Sequence, residues 1–206
     1  MPFSRVMLFV AATVVAVALA LIVNSMLPDP ERRRSGRIGI PSIGGPFELV
    51  NHKGQVARDS DFRGAYLLIM FGYTFCPDIC PTELQVMTEV MTEVMPRLEP
   101  GLAKVQPLMI TLDPERDTVA VMADYIGNFH PTFIGLTGST AQVGAAAKAY
   151  HVFFAKTPLD DDGGYFMDHS AFIYLMGPDG KYLHHFAPTA SPQAIADKIR
   201  AVISGG

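Results

Sequence analysis

The sequence predicts one α/β domain, in which a mixed central sheet is flanked by helices, and an N-terminal transmembrane helix before it. Three features support this fold class. Residues 65–73 form a near-continuous apolar run, as expected of a strand that is buried on both faces. Strand-like and helix-like segments alternate through the rest of the chain, a pattern typical of a sheet covered by helices. An apolar run near the start is long enough to cross a bilayer.

The elements of the domain can be assigned in order along the chain. A hairpin at residues 47–56 turns at Asn51-His52-Lys53-Gly54, and the buried strand 65–73 and a helix over about residues 82–95 follow it. Ser191 is predicted to cap the last helix, which starts at Pro192 and runs to about residue 203. Between the helix at about residues 82–95 and this last helix, the sequence predicts a strand at 105–112, a helix at 119–129, a short strand at 132–136, a helix at 139–150, and a hairpin of strands 171–176 and 181–186.

The first 27 residues predict a membrane anchor. Residues 6–23 are 18 apolar positions interrupted only by Thr13, and a spanning helix needs about 17–25 such residues. A cleaved secretory signal is the alternative, because Ala18-Leu19-Ala20 resembles a cleavage site, although apolar residues continue beyond it. Residues 28–42 are rich in Pro, Arg and Gly and are predicted to be a linker, so that the domain covers residues 43–206.

Bulk composition excludes two classes of protein. The formal net charge of −4 provides no basic field for nucleic acid, so we expect no nucleic-acid partner. Cys76 and Cys80 are the only cysteines in the chain, and two cysteines cannot form a disulfide scaffold. At this close spacing they instead indicate a functional site.

The cysteines lie in the segment Phe75-Cys76-Pro77-Asp78-Ile79-Cys80-Pro81, between the predicted buried strand and the next helix. Pro81 suits the first helical position, which predicts Cys80 as the N-cap. A helix N-terminus stabilises a thiolate and lowers its pKa. The three-residue separation permits either a disulfide or two sulfurs shared by one copper(I) ion, whereas zinc would require a fourth ligand.

Three segments resemble the SCO/SenC family of copper proteins, which deliver copper to cytochrome oxidase. They are FGYTFCPDICPTEL (residues 71–84), TLDPERDT (111–118) and DHSAFIYLMGPDGKY (168–182), and they occur in the family's order. The resemblance implies a thioredoxin-like fold with peroxiredoxin-like insertions, and a metal site formed by Cys76, Cys80 and His169. It places Asp78, the acidic residue between the cysteines, around the ligands. Asp168 is a further candidate there, either to orient the imidazole or to act as a harder oxygen ligand when copper is oxidised; a plain loop aspartate is the alternative.

The resemblance also implies a function. The chain would be a metallochaperone and not an enzyme, binding one copper ion, as Cu(I) or Cu(II), and delivering it to cytochrome c oxidase, with subunit II as the expected client. An upstream copper donor or a thiol reductant would be a further partner. The alternative is a membrane-anchored thiol–disulfide oxidoreductase that keeps oxidase cysteines reduced through a Cys76–Cys80 disulfide. A peroxidase would need an activated cysteine with a nearby arginine, and neither cysteine has such sequence surroundings.

The expected location is the bacterial inner membrane, with one transmembrane pass and the domain in the periplasm, in preference to the mitochondrial inner membrane. Arginine distribution predicts the opposite orientation, because four arginines follow the apolar run and only Arg5 precedes it. We give more weight to the content of the domain, whose expected client is extracytoplasmic.

Other candidate residues have structural interpretations. His169 could be an ordinary loop histidine by spacing alone, and only the family motif singles it out. His184 and His185 would point to opposite faces of a strand, so they cannot easily share one ion. The stripe of Met87, Met91 and Met95 predicts a core-facing side of a helix. The remaining candidates are predicted to be structural: His52, His130 and His151 without ligand partners, and Asp113, Glu115, Arg116 and Asp117 as ion pairs that shape a loop near the site.

Overall fold

The computed structural model describes residues 43–93, 104–159 and 164–204. The predicted anchor at 6–23, the linker at 28–42 and Met95 lie outside these residues. Within the three described stretches, no helix is both long enough and apolar enough to cross a membrane.

The strands form one large mixed sheet and one small sheet. In the described residues they are β1 (Glu48–Asn51), β2 (Val56–Arg58), β3 (Tyr66–Gly72), β4 (Val105–Thr111), β5 (Ile134–Thr137), β6 (Phe154–Pro158), β7 (Tyr165–His169), β8 (Ile173–Met176) and β9 (Tyr182–Phe186). Seven of them form a sheet of order β2-β1-β5-β4-β3-β8-β9, and β6 pairs with β7 separately. Strands β3, β4 and β5 are parallel, while β1 and β8 are antiparallel to their neighbours β5 and β3. The predicted mixed sheet is confirmed.

Four α-helices and one short 3-10 helix (Asp59–Phe62) accompany the sheet in the described part of the chain; the α-helices are α1 (Ile79–Glu93), α2 (Val119–Ile126), α3 (Thr140–Ala149) and α4 (Pro192–Ser204). Ser191 Oγ accepts a hydrogen bond from Ala194 N, so the predicted cap of the last helix is confirmed. Every residue from Leu67 to Gly72 of β3 is buried. Because successive strand side chains point to opposite faces, both faces of the sheet are covered.

Helix α1 begins three residues earlier than predicted. The carbonyl of Asp78 accepts hydrogen bonds from Thr82 N at 3.2 Å and Thr82 Oγ1 at 2.9 Å, so helical bonding already starts there. The prediction of Cys80 as N-cap is therefore wrong, and Cys80 lies inside the first turn. Pro81 is tolerated at this position because the first-turn N–H groups have no intrahelical acceptor. Met87 and Met91 are buried, as the apolar stripe predicted.

The small sheet was not predicted. His169 was expected just before a strand, but it is the last residue of β7 and pairs with Phe154 of β6. Only Met167 is buried among the residues of these two strands. The apolar alternation that normally identifies a strand is therefore missing from both segments.

Candidate metal centre

Cys76 and Cys80 lie at the junction between β3 and α1. A turn from Tyr73 O to Cys76 N, 3.3 Å, follows the end of the strand, and Cys76 Sγ then accepts a hydrogen bond from Cys80 N at 3.5 Å. The Cys76 sulfur thus serves an N–H group of the first helical turn, which would otherwise have no partner. Both thiols are free; Cys76 is half-buried and Cys80 is fully buried.

His169 brings an imidazole to this pair from the end of β7. Its Nε2 lies 3.6 Å from Cys80 Sγ, and its Nδ1 lies 3.1 Å from the carbonyl oxygen of Ser170. A proton on Nδ1 can be donated to that carbonyl, which directs Nε2 towards the sulfurs. The edge of the Tyr73 ring packs against the imidazole, with the ring centres 6.0 Å apart.

The two thiols have opposite acidities. A hydrogen bond from the Cys80 thiol, assisted by His169 and by the N–H groups of Asp78 and Cys80, lowers the pKa of Cys76 far below its ordinary value despite burial. The pKa of Cys80 is raised, first because its thiol is held by Cys76 and then because it is buried. Burial alone would lower the pKa of His169, but hydrogen bonds to Cys76 and Ser170 outweigh it and raise that pKa. Cys76 is therefore the thiolate of the pair.

Gly72 allows the close approach of Cys80 to the end of β3. A Cβ atom at position 72 would lie 2.8 Å from Cys80 Sγ and 3.0 Å from Met70 Cε. Any larger residue would displace the sulfur. Gly72 belongs to the FGYTFCPDICPTEL segment, yet its spacing in the sequence gave no sign of this role.

Asp78 and Asp168 both lie beside the proposed ligands, but the Asp168 carboxylate does not orient the imidazole. Both are exposed, and with Cys76 and His169 they line an open pocket of about 350 Å³. The structure does not bring the Asp168 carboxylate to the imidazole, because Asp168 Oδ2 accepts a hydrogen bond from Thr157 Oγ1 at 2.8 Å. The carbonyl oxygen of Ser170, and not Asp168, contacts the Nδ1 atom of His169. Asp78 contributes its backbone N–H to the Cys76 sulfur.

Arg116 connects the two halves of the site. Its guanidinium carbon lies 3.8 Å from the ring centre of Tyr165, the first residue of β7, and 4.8 Å from that of Phe75, next to Cys76. Its Nε pairs with the buried Asp113, and its Nη1 donates to Tyr165 O at 3.0 Å. The predicted ion pairing near the site is present here.

Asp117 fixes the chain two residues before Cys76. Its carboxylate accepts hydrogen bonds from Thr74 N at 3.0 Å, from Thr74 Oγ1 at 2.6 Å and from the Thr111 hydroxyl. Glu115 pairs with Lys156 at the surface, 2.6 Å apart. The 113–117 loop thus anchors both the cysteine segment and the small sheet.

Four of the other five histidines lie in polar or aromatic contacts of their own. His52 Nδ1 accepts a hydrogen bond from Gly135 N at 3.1 Å, and His130 contacts Thr132. His184 packs against Phe186, while His185 contacts the hydroxyl of Tyr182.

Glu83 is the residue of the site that the sequence reasoning missed. It follows Cys80 by one helical turn of α1, and only 1% of its surface is exposed. Neither carboxyl oxygen has a hydrogen-bond partner. Burial raises the pKa of Glu83 to about 7, with the charge of His169 acting in the opposite direction. Its position on the same helical face as Cys80 and Met87 was the signal available in the sequence.

The donor set fits a soft metal ion. Sulfur and nitrogen ligands of one ion lie at about 2.3 Å and about 2.0 Å from it, so they can be no more than about 4.3 Å apart. Cys80 and His169 satisfy that limit at 3.6 Å. As they stand, no three His, Cys, Asp or Glu side chains within the described stretches are grouped closely enough to hold a metal ion. Two sulfurs and one imidazole nonetheless converge beside the pocket, and thiolate with imidazole suits copper(I).

The chain is similar to proteins of one known family. Residues 36–204 match the family model described as SCO1/SenC. The chain is 43% identical over 171 residues to the mitochondrial SCO2 homolog of Bos taurus, an alignment covering 82% of this chain and 64% of that protein. The chain thus spans less than two thirds of the bovine relative's length.

Two further relatives extend the comparison. A SCO2-like protein of Rickettsia felis is 37% identical over 201 residues, which cover 95% of each chain. The crystal structure of Arabidopsis thaliana ScoI with copper bound superposes with a TM-score of 0.75 at 33% identity, covering 80% of this chain and all of that one (100%).

Proposed function

This chain belongs to the SCO1/SenC family, and we propose that it is a copper metallochaperone of thioredoxin-like fold. It binds one copper ion through Cys76, Cys80 and His169 and delivers it to cytochrome c oxidase during assembly. The observation that carries the proposal is the 3.6 Å approach of His169 Nε2 to Cys80 Sγ beside an open pocket. The copper bound to the Arabidopsis homologue supports it.

Each of the three side chains supplies one donor atom to the ion. Cys76 supplies a thiolate at neutral pH, because its pKa is lowered. Cys80 supplies the second sulfur after its thiol gives up a proton, so uptake of the ion releases protons. His169 supplies the nitrogen, held in orientation by Ser170 O. With three protein donors, one side of the ion remains open towards the pocket.

The open side suits transfer to a partner. A ligand of the client protein can enter the pocket and replace the chaperone's donors one at a time. We propose a subunit of cytochrome c oxidase, subunit II, as that client, and an upstream copper donor or thiol reductant as the partner that prepares the site. The chain performs no catalysis in this role, and we expect it to bind no nucleic acid.

We propose a location at a membrane. Residues 1–27 would anchor the chain and residues 28–42 would link the anchor to a domain of residues 43–206 in the periplasm. Relatives include a mitochondrial protein and a Rickettsia protein, which is compatible with a bacterial inner membrane. A reporter fused after Gly206 should be active only outside the cytosol. Activity restricted to the cytosol would show that the arginine distribution sets the orientation.

A thiol–disulfide oxidoreductase is the second candidate. It is favoured by the pairing of a half-buried Cys76 thiolate with a buried Cys80 thiol. In that role Cys76 attacks a client disulfide, Cys80 displaces the client, and the client leaves as two thiols while Cys76 and Cys80 become a disulfide. The two roles share one requirement, since the pair must be reduced before it binds copper.

Copper stoichiometry tests the leading proposal. The reduced full-length chain in detergent should retain one copper(I) ion against a weak chelator, measured anaerobically by metal analysis. Cys76→Ser and Cys80→Ser should each lose it, because each removes a soft thiolate. Equal copper retention by the double serine variant would refute the site.

A further inference from the structure

Glu83 is a buried acid for which the three-ligand site gives no reason. A carboxyl group that is removed from water needs a hydrogen-bond or charge partner, and neither oxygen of Glu83 has one in the structure. At 1% exposure it is almost completely enclosed. An apolar residue at this position of α1 would fill the core without that cost.

The surroundings of Glu83 are those of the metal site. It lies three residues after Cys80, so the two side chains are neighbours on one face of α1. The titratable groups that interact with it electrostatically are His169, Cys76 and Cys80. A charge on Glu83 therefore acts directly on all three proposed ligands.

The two oxidation states of copper differ in how they respond to such a charge. Two thiolates, a neutral imidazole and copper(I) carry one net negative charge, whereas the same ligands around copper(II) are neutral. A neighbouring carboxylate repels the first arrangement and leaves the second nearly unaffected. Buried charges are little screened, so the difference persists at physiological salt.

We propose that Glu83 is a specificity-determining residue that shifts the site away from copper(I) and towards copper(II). The inference rests on the proposed function, since it assumes that Cys76, Cys80 and His169 hold the ion. Glu83 is not a ligand in this scheme. Its carboxylate sets the relative stability of the two loaded forms and loosens the hold on copper(I).

The test compares copper(I) and copper(II) binding in isosteric variants. Glu83→Gln removes the charge and keeps the shape, Glu83→Asp keeps the charge, and Glu89→Gln makes the same change at an exposed position of α1. Copper(I) is titrated anaerobically against a chromophoric chelator. Copper(II) is titrated through its thiolate charge-transfer absorption. Both use the full-length chain in detergent at pH 8.

We expect the ratio of the copper(II) to the copper(I) binding constant to fall roughly a hundredfold in Glu83→Gln, the order expected for one unit charge acting over about 6 Å, the separation of neighbouring side chains on a helix, at an effective dielectric constant of about 20. Glu89→Gln should leave the ratio unchanged, and Glu83→Asp should restore most of it. Glu83→Met, which also removes the charge but suits an apolar site, should match Glu83→Gln.

Two outcomes would overturn the inference. One is an unchanged ratio in both Glu83→Gln and Glu83→Met while each variant binds one copper ion. The other is an equal loss of both binding constants, which would assign Glu83 a structural role alone. Failure of the proposed function would look different, because the unsubstituted chain itself would then retain no copper.

Discussion

Cys80 Sγ and His169 Nε2 lie 3.6 Å apart although 89 positions separate the two residues. The sulfur belongs to the first turn of α1, and the imidazole belongs to His169, the last residue of β7. The site is therefore completed only when the small β6–β7 sheet is held against the cysteine segment. Residues that control this contact should affect metal binding without being ligands.

His169→Ala should separate copper binding from disulfide formation. The variant keeps both sulfurs, so Cys76 and Cys80 should still form a disulfide on oxidation. Copper(I) accepts two thiolates and should be lost only in part, whereas copper(II) prefers more donors. Changes in the surroundings of ligands typically cost roughly 10–100-fold in metal affinity, and loss of a direct ligand should cost copper(II) at least that much.

Copper(II) titration and thiol counting check this prediction. His184→Ala is the matched control, since His184 packs against Phe186 and should leave both measurements unchanged. Full copper(II) affinity in His169→Ala, with its loss in Cys76→Ser, would remove His169 from the ligand set and favour the oxidoreductase.

Gly72→Ala should disturb the site from the strand side. The new Cβ would meet Cys80 Sγ at 2.8 Å, and a buried sulfur has little room to move. Overpacking of this kind costs about 1–3 kcal/mol of unfolding free energy, and the displaced sulfur should also weaken copper binding. Denaturant unfolding and copper titration measure the two effects.

Gly144→Ala is the control for that substitution. Gly144 lies within α3 and a Cβ there meets nothing within 4 Å, so the change should stabilise the protein by about 0.5–1 kcal/mol without changing copper affinity. If Gly72→Ala behaved in the same way, the close packing of Cys80 on β3 would not matter to the site.

The sequence allowed the central sheet and the cysteine pair to be predicted because both have local signals. The apolar run of β3 and the Cys76–Cys80 spacing can be recognised without any tertiary contact. His169 could be identified only through a motif, because β7 lacks the alternation of a half-buried strand. Glu83 was missed for another reason: burial of a charged residue is decided by packing, and composition predicts it to be exposed.

Arg116→Met should loosen the connection between the two halves of the site. The substitution removes the guanidinium that contacts Tyr165 and Phe75, and it leaves the buried Asp113 without its cation. We expect a loss of about 2 kcal/mol of unfolding free energy, and weaker copper(II) binding because β7 is less firmly held.

Lys156→Met provides the comparison for Arg116→Met. The Lys156 ammonium also lies over the Tyr165 ring, 4.5 Å from its centre, but its side chain is 47% exposed and its partner Glu115 is at the surface. Exposed ion pairs contribute little, so both the stability and the copper affinity should be nearly unchanged. Equal effects of the two substitutions would show that Arg116 does not position the site.

Alkylation should distinguish the two cysteines. The pKa of Cys76 is lowered by its hydrogen bonds from the Cys80 thiol, from His169 and from backbone N–H groups, so Cys76 is already a thiolate well below neutral pH. The pKa of Cys80 is raised and its sulfur is fully buried. Since the thiolate is the reactive form, iodoacetamide should label Cys76 first.

The pH dependence makes that prediction specific. At pH values below its pKa, an ordinary thiol becomes about tenfold more reactive each time the pH rises by one unit, because the thiolate fraction rises tenfold. Cys76 should instead react at nearly the same rate at pH 6 and pH 8, when peptide mass spectrometry follows labelling of the reduced chain. His169→Ala removes one of the hydrogen bonds to the thiolate and should restore part of the pH dependence. Preferential labelling of Cys80, or a tenfold rise per unit of pH at Cys76, would contradict the assignment of Cys76 as the thiolate.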